Sequence, residues 1–133
     1  VLKKVGLYEH RNKYPAKDKL SGGMKQRVEI AGVLADQSPV ILMDEPFSAL
    51  DDITREEMQA FVLRIWQEFN KTILFVTHNK DEAILLSDRI IMLPPSPRHG
   101  EPKIVKVDLP RPRNPIGVDF LHYKEILSEH LKQ

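Results

Sequence analysis

Three short apolar runs constrain the fold of this 133-residue chain more than any other feature. They cover residues 40–43, 72–76 and 90–93, and polar residues follow the first two. Continuous apolar runs of this length are typical of strands buried on both faces, as in a parallel sheet. Segments with apolar residues at helical spacing separate them, from about residues 52 and 80. The alternation predicts an α/β fold with a mostly parallel sheet and flanking helices.

The sequence on either side of these runs predicts further elements. Ser21 is a good N-cap for a helix that precedes the first run, because apolar residues recur after it at three- and four-residue steps. Seven of the ten prolines lie between Pro94 and Pro115 and separate a C-terminal extension. In that extension, residues 103–109 alternate between apolar and polar and predict an edge strand. A short amphipathic helix is predicted from Phe120, Tyr123, Leu127 and Leu131.

Composition excludes or disfavours several classes of protein. Twenty basic and nineteen acidic residues leave a net charge of +1, which gives no general attraction to nucleic acid or to anionic membranes. The absence of cysteine excludes disulfide frameworks and cysteine-based zinc sites. No apolar run approaches the ~18 residues of a membrane-spanning helix. The five histidines form no His-x-x-x-His pair, which argues against a metal enzyme.

Polar residues at the ends of the first two apolar runs are candidates for chemistry. Asp44 and Glu45 end the first run, and ligands of open α/β sheets bind at the carboxyl ends of the strands. The aspartate can hold Mg²⁺, usually through water, and the glutamate can orient an attacking water. His78 follows the second run, where a phosphate contact or a proton-handling role is plausible. A solvated strand end and a structural histidine are the alternatives.

The sequence Ser21-Gly22-Gly23-Met24 stands where a loop enters the first predicted helix. Glycine lets the backbone come close to a ligand, and the free N–H groups at a helix N-terminus favour a phosphate. Taken alone, the same residues favour a plain helix cap with a flexible entry over a phosphate site.

Four motifs in order resemble the ATP-binding subunit of ABC transporters. They are LSGGMKQRVEIA, VILMDEPFSALD, FVTHNKDEA and SDRIIML, and they extend from about Leu20 to Leu93. The resemblance implies a P-loop NTPase fold of the ABC ATPase type. The tail sequence VDLPRPR, together with these motifs, is similar to the group of bacterial importers for nitrate, sulfonate and taurine.

The resemblance implies roles for the nucleotide-contacting residues. Ser21, Gly22, Gly23 and Met24 match the signature motif, which contacts the γ-phosphate of ATP held by the opposite subunit. Met24 replaces the glutamine that is common in the family.

The same resemblance implies roles at the strand ends and in the loop after them. Asp44 matches the Walker B residue on the Mg²⁺ side, and Glu45 matches the catalytic glutamate. Asp51 matches the D-loop at the dimer interface, and His78 matches the switch histidine that senses the γ-phosphate. The implied cofactors are ATP and Mg²⁺.

The resemblance also implies an organisation and a setting. Residues 1–93 match the C-terminal portion of an ABC ATPase domain, with 1–35 ending the helical subdomain and 36–93 running from Walker B to the switch histidine. Residues 94–133 are then a C-terminal extension. The implied partners are a second ATPase subunit, transmembrane permease subunits and, indirectly, a periplasmic or extracellular substrate-binding protein, with no nucleic acid. The implied location is the cytoplasmic face of the bacterial plasma membrane.

One absence and one substitution qualify this resemblance. None of the six glycines begins the Gly-x-x-x-x-Gly-Lys-Ser/Thr sequence of a P-loop, and no Gln-bearing loop follows one. The chain alone is therefore expected neither to bind ATP tightly nor to hydrolyse it, and to expose a sheet face or edge that promotes self-association. Gly32 stands where the family usually has arginine. A non-catalytic dimerisation module and a soluble ABC ATPase without transport function remain alternatives.

Overall fold

The computed structural model describes residues 2–3, 6, 8–10, 21–35, 38–94 and 100–130. The chain divides into two compact units, residues 1–76 and residues 77–133. A short 3-10 helix, Tyr8–His10, precedes the elements of the first unit, which are α1 (Gly22–Ala35), β1 (Val40–Asp44), α2 (Asp52–Phe69) and β2 (Thr72–Val76). The elements of the second unit are α3 (Lys80–Leu86), β3 (Arg89–Met92), β4 (Lys103–Lys106) and α4 (Val118–His130).

In the first unit, the predicted parallel pairing of the first two strands is confirmed. β1 and β2 pair in parallel with Leu42 opposite Leu74. Ile41 and Met43 point to a buried face. The core of this unit is completed by buried apolar residues of α1, α2 and the loop between β1 and α2, namely Ile30, Leu34, Phe47, Met58, Phe61, Val62 and Ile65.

The prediction that these strands are buried on both faces is wrong for this chain. Successive residues of a strand point to opposite faces. On the second face, Leu42 is 66% exposed and its partner Leu74 is 52% exposed, and Val40 and Val76 are exposed beside them. We call these four side chains the open sheet face. The sequence predicts an exposed sheet face or edge, and the open sheet face is one.

The third predicted strand, β3, does not pair in parallel as the predicted sheet requires. It lies antiparallel to β4, with Ile91 opposite Ile104, so among the described residues it is not a third strand of the parallel pair. The alternating sequence after the prolines supplies this partner, which confirms the predicted edge strand over Lys103–Lys106. The division of the chain at residue 93 stays a prediction.

The second unit has its own core. Ile84 of α3, Phe120 and Leu127 of α4, and Val107 after β4 are buried together. The C-terminal amphipathic helix is thereby confirmed, although its predicted contact residue Leu131 lies outside the described residues. Within the described ranges, none of the helices combines the length and the apolar character needed to cross a bilayer.

Candidate functional site

The start of α1 is capped as the sequence predicts. The hydroxyl of Ser21 accepts a hydrogen bond from the amide of Met24 at 3.2 Å, and its carbonyl accepts one from Lys25 at 3.0 Å. Ser21 and Gly22 are exposed, whereas Gly23 is buried. The cap therefore presents a serine and a glycine to solvent while the next residue packs inward.

Close packing inside the unit leaves little room for a side chain at either glycine. A Cβ atom on Gly22 would lie 3.0 Å from Cδ2 of Leu50, and one on Gly23 would lie 3.0 Å from Cγ2 of Thr54. Distances this short force a neighbour to move. The N-terminal end of α1 therefore rests directly on the loop before α2 and on the first turn of α2.

A small cleft opens beside this contact. Its volume is about 170 Å³, and it is lined by residues of α1 and α2 together with Ser21, namely Ser21, Gly23, Met24, Arg27, Thr54, Glu57 and Met58. Ligand pockets for drug-sized molecules usually measure roughly 300–1,000 Å³. The cleft is therefore smaller than a usual pocket for a drug-sized molecule.

The acid pair stands at the end of β1 in an unusual backbone conformation. Asp44 is exposed and ends the strand, and Glu45 has φ of 45°, which is the left-handed region that L-residues rarely adopt. The amide of Glu45 donates to the carbonyl of Val76 at 2.9 Å, and its carbonyl accepts from the hydroxyl of Ser48 at 3.0 Å. Strained residues of this kind cluster at active sites, so the outlier favours a functional role for Glu45.

A contact that the sequence interpretation missed connects α1 to this loop. Nε2 of Gln26 donates a hydrogen bond to the carbonyl of Pro46, the residue after Glu45. Gln26 lies four residues before Ile30 and eight before Leu34, both buried. A glutamine at that position of the apolar face is the signal that could have revealed the contact.

Asp51 caps α2 with both carboxylate oxygens. Oδ1 accepts the amide of Thr54 at 3.0 Å, and Oδ2 accepts its hydroxyl at 2.7 Å. The hydroxyl bond, followed by the amide bond, lowers the pKa of Asp51 from its ordinary value of 3.8. The adjoining carbonyl of Leu50 accepts from Arg55 at 2.8 Å. The loop between β1 and α2 is thus held at both of its ends.

His78 belongs to the second unit and is exposed there. The hydroxyl of Thr77 donates to Oε2 of Glu82 at 2.7 Å and accepts the amide of Asn79 at 3.0 Å. Oδ1 of Asn79 accepts the amides of Asp81 and Glu82 at 2.9 and 3.4 Å, so Asn79 caps α3. The residues on both sides of His78 are therefore tied to the first turn of α3.

Within the first unit, the structure brings together two of the predicted groups. Residues 21–24 pack on the loop that ends in Asp51, and α1 reaches the residue after Glu45. That His78 meets the acid pair at one sheet edge stays a prediction.

The described residues contain no group of three or more potential metal ligands from histidine, cysteine, aspartate and glutamate. Mg²⁺ in phosphate sites is commonly held by one or two carboxylates together with water and phosphate oxygens. A single exposed carboxylate at Asp44 fits that donor set, and the metal role of Asp44 stays a prediction.

Comparisons with known proteins agree with one another. A family profile described as "ABC transporter" matches residues 1–48. An uncharacterized ABC transporter ATP-binding protein of Methanocaldococcus jannaschii is 47% identical over 131 residues, which are 98% of this chain and 48% of that protein. A nitrate import ATP-binding protein of Synechococcus elongatus is 45% identical over 132 residues, again 98% of this chain and 47% of that protein.

A solved structure is similar as well. It is a dimeric, post-hydrolysis state of an ATP-binding cassette bound to ADP and phosphate. It superposes with a TM-score of 0.53 at 41% identity and covers 68% of this chain and 38% of that one. The chain thus spans about half the length of the two relatives, at 48% and 47%, and less of the solved protein.

Proposed function

We propose that the chain is the C-terminal portion of an ATPase subunit of the ABC transporter family, because an ABC transporter profile matches residues 1–48 and ATP-binding proteins of such transporters are similar over 98% of the chain. In the proposal, the intact subunit hydrolyses ATP to power an importer of a small anion such as nitrate, sulfonate or taurine. The similarity to a nitrate import protein over 98% of the chain supports this substrate class.

The observation that carries the proposal is the geometry of the acid pair. Glu45 is held in a left-handed conformation directly after an exposed Asp44, with its amide and carbonyl fixed by backbone and hydroxyl partners. The backbone that carries the Glu45 side chain is thereby fixed rather than left as a flexible strand end. A carboxylate on a fixed backbone, beside a second carboxylate of the kind that can hold Mg²⁺, suits hydrolysis of a phosphoanhydride.

In this proposal, each residue has a chemical task. Glu45 orients the attacking water and accepts its proton as the γ-phosphate is transferred. Asp44 would hold Mg²⁺ through water, and the ion would neutralise charge on the phosphates when bound. His78 contacts the γ-phosphate. Asp51 keeps the start of α2 in place beside the partner subunit.

The residues at the start of α1 act on a second nucleotide. Ser21, Gly22, Gly23 and Met24 would contact the γ-phosphate of ATP held by the opposite subunit. The exposed Ser21 hydroxyl and the amides of the first helical turn are the groups that favour an anion there. A second ATPase subunit is therefore the first proposed partner, and the similar solved structure is dimeric.

The remaining partners and the location follow from the importer class. The proposed subunit lies at the cytoplasmic face of the bacterial plasma membrane, bound to transmembrane permease subunits. A periplasmic or extracellular binding protein delivers the substrate to those permeases, and no nucleic acid takes part. The ATPase does not touch the transported anion, so substrate identity is decided in the other subunits.

The sequence of these 133 residues contains no P-loop, which favours one alternative function. In that alternative, the chain is a non-catalytic dimerisation module that lends its signature motif to a partner. A soluble ABC ATPase without transport function is a third reading, which the near-zero net charge disfavours for relatives that bind nucleic acid.

The test compares the chain with an extended form. The chain alone and the chain preceded by its upstream coding sequence are purified, each with and without Glu45→Gln. We expect no Mg²⁺-dependent ATP hydrolysis from the chain alone. The extended form should hydrolyse ATP, and Glu45→Gln should lower its kcat by about 100-fold or more.

Glu56→Gln is the matched control, because Glu56 is exposed on α2 and the change removes the same charge. Its kcat should stay unchanged. Hydrolysis by the chain alone that Glu45→Gln abolishes would contradict the fragment proposal. An extended form without a P-loop, or with activity indifferent to Glu45→Gln, would favour the dimerisation module.

A further inference from the structure

Arg113 is a charged residue in the core of the second unit. It is 8% exposed, and its guanidinium donates to the carbonyls of Ile84 at 2.5 Å and Ser87 at 2.6 Å. It also donates to the carbonyls of Leu109 at 3.1 Å and Val107 at 3.3 Å. Burial, followed by the nearby charge of Arg111, lowers the pKa of Arg113.

The acceptors of Arg113 belong largely to the end of α3. The last four carbonyls of a helix have no partner inside the helix, and the helix dipole places negative charge there. Arg113 supplies donors to that end, and Arg111 adds one to the carbonyl of Leu86 at 2.7 Å. The Arg111 guanidinium also pairs with Asp88 at 2.6 Å. Arginines that lie 25 or more residues further along the chain therefore donate hydrogen bonds to the free carbonyls at the C-terminus of this helix.

Only arginine can make this set of contacts. Its planar guanidinium carries five donors in fixed directions, whereas lysine has three donors on a single nitrogen. The carbonyls of Ile84, Ser87, Val107 and Leu109 surround the group from different chain segments. A lysine at position 113 would keep the charge but lose most of these bonds.

Helix α3 connects this cluster to the loop of His78. It has only seven residues, and so short a helix depends on tertiary contacts for its stability. Its first turn carries Glu82, which is 6% exposed and accepts the Thr77 hydroxyl beside His78. This segment of two turns is therefore tied at its end by Arg113 and at its start by the residues around His78.

Helix α4 supports the same segment from the side. Lys80 donates to the hydroxyl of Ser128 at 2.9 Å, and Asp81 pairs with Lys124 at 2.8 Å. Ile84 packs with Phe120 in the core. These contacts hold the start and middle of α3, and the arginines hold its end.

From this arrangement, we propose that Arg113 is a positioning residue for His78 and acts through α3. The C-terminal extension then serves the ATPase chemistry by setting where the switch histidine stands. This inference rests on the proposed role of His78 at the γ-phosphate. A displacement of about 1 Å in a catalytic group can cost on the order of 100-fold in rate.

A double-mutant cycle on the extended ATPase subunit tests the proposal. The variants are Arg113→Lys, His78→Ala and both together, with kcat and KM for Mg²⁺-ATP measured for each. We expect Arg113→Lys to lower kcat about 10-fold or more, with KM changed less than about twofold. Because Arg113 acts through His78, the double variant should have the kcat of His78→Ala alone.

Arg89→Lys is the matched control, since Arg89 is exposed on β3 in the same unit and the change is chemically identical. It should leave kcat unchanged. Equal loss of kcat from Arg113→Lys with and without His78 would overturn the proposal. So would a lowered melting temperature with no change in kcat, because that outcome indicates a purely structural role.

Hydrogen exchange separates this proposal from the proposed function. In Arg113→Lys, the amides of Asp81 and Glu82 at the far end of α3 should exchange faster, whether or not the subunit hydrolyses ATP. Faster exchange confined to the end near Ser87 would overturn the inference even if ATP hydrolysis is confirmed. If the extended wild type has no ATPase activity, the proposed function fails, and the exchange at Asp81 and Glu82 still decides whether Arg113 controls this loop.

A second variant tests the proposal if Arg113→Lys does not fold. If Arg113→Lys gives no soluble protein, Thr77→Val removes the hydroxyl that links Glu82 to the loop while keeping the side-chain shape. It should lower kcat in the wild-type background and not in the His78→Ala background. Additive losses in the two backgrounds would overturn the proposal.

Discussion

The loop after β1, which carries Glu45, and the loop before α3, which carries His78, are supported in different ways. The first is fixed through its own backbone: Glu45 takes a left-handed conformation, and its carbonyl bonds to the nearby Ser48. The second rests on side chains, from Thr77 to the buried Glu82 and from there along α3 to the buried Arg113. The two motifs look alike in sequence, since each is a polar residue after an apolar run.

The difference indicates which substitutions should disturb each loop. The Glu45 loop depends on contacts within its own unit. These are the backbone hydrogen bonds of Glu45 and the close packing of Gly22 and Gly23 beside the end of the loop. In the proposal, the His78 loop depends on Arg113 of the C-terminal extension, which lies 29 positions after its acceptor Ile84 in α3. Substitutions in the extension should therefore affect the second loop strongly, while the first should respond to backbone geometry.

The largest expected effect is on the Arg113 cluster. Arg113→Met should lower the free energy of unfolding by about 3 kcal/mol, because several buried carbonyls lose their donor. The measurement is urea denaturation followed by circular dichroism. Ser48→Ala, which removes an exposed hydrogen bond from the Glu45 loop, should cost no more than about 1 kcal/mol. Equal effects of the two changes would remove the contrast between the loops.

The second-largest expected effect on stability concerns the close packing of α1 against α2 in the first unit. Gly23→Ala should destabilise the protein by about 1–3 kcal/mol, since its Cβ would press on the stiff Thr54 side chain at 3.0 Å. Gly32→Ala in the same helix is the control. A Cβ on Gly32 meets nothing within 4 Å among the described residues, so this change should stabilise by up to ~1 kcal/mol. Urea midpoints of both variants check the opposite signs.

A third prediction concerns the strain at Glu45. Glu45→Gly should be more stable than Glu45→Ala by about 1 kcal/mol, because glycine adopts the left-handed region without penalty. Both variants remove the carboxylate, so both should lack its catalytic effect in the extended form. Thermal unfolding compares the pair. Equal melting temperatures would show that the backbone of Glu45 stores no strain.

The smallest expected effect is on the pH dependence of stability through Asp51, which caps α2 after the Glu45 loop. The pKa of Asp51 is lowered in the folded protein, so its contribution to stability is present above its ordinary pKa of 3.8 and is lost as pH falls through the folded pKa. Asp51→Asn keeps a capping side chain without a titrating group. The melting temperature of this variant should therefore fall less than that of wild type on acidification.

Thr54→Val is the control for this pH effect. It removes the hydroxyl bond that contributes most to the pKa shift of Asp51 and keeps the amide bond. It should reduce the acid-dependent loss partly. An unchanged pH dependence in both variants would show that another group governs acid unfolding in this range.

Much of the local structure was predictable. The caps at Ser21, Asp51 and Asn79, the first two strands and the C-terminal helix all follow from short-range patterns of apolar and capping residues. The burial of β1 and β2 was predicted wrongly, because an apolar run shows that a strand can be buried on two faces but not what covers each face in this chain. The partner of β3 was also not predictable, since periodicity carries no information on pairing direction.

By itself, the sequence determined the elements, their caps and the order of motifs on which family membership and the candidate residues Asp44, Glu45 and His78 depend. These properties depend on neighbours within a few positions. The tertiary structure alone decided the strained backbone of Glu45, the contact of Gln26 with Pro46 and the burial of Arg113. Those features require groups 20 to 31 residues apart in sequence to meet, and a hydrogen bond between such groups is set by packing rather than by local spacing.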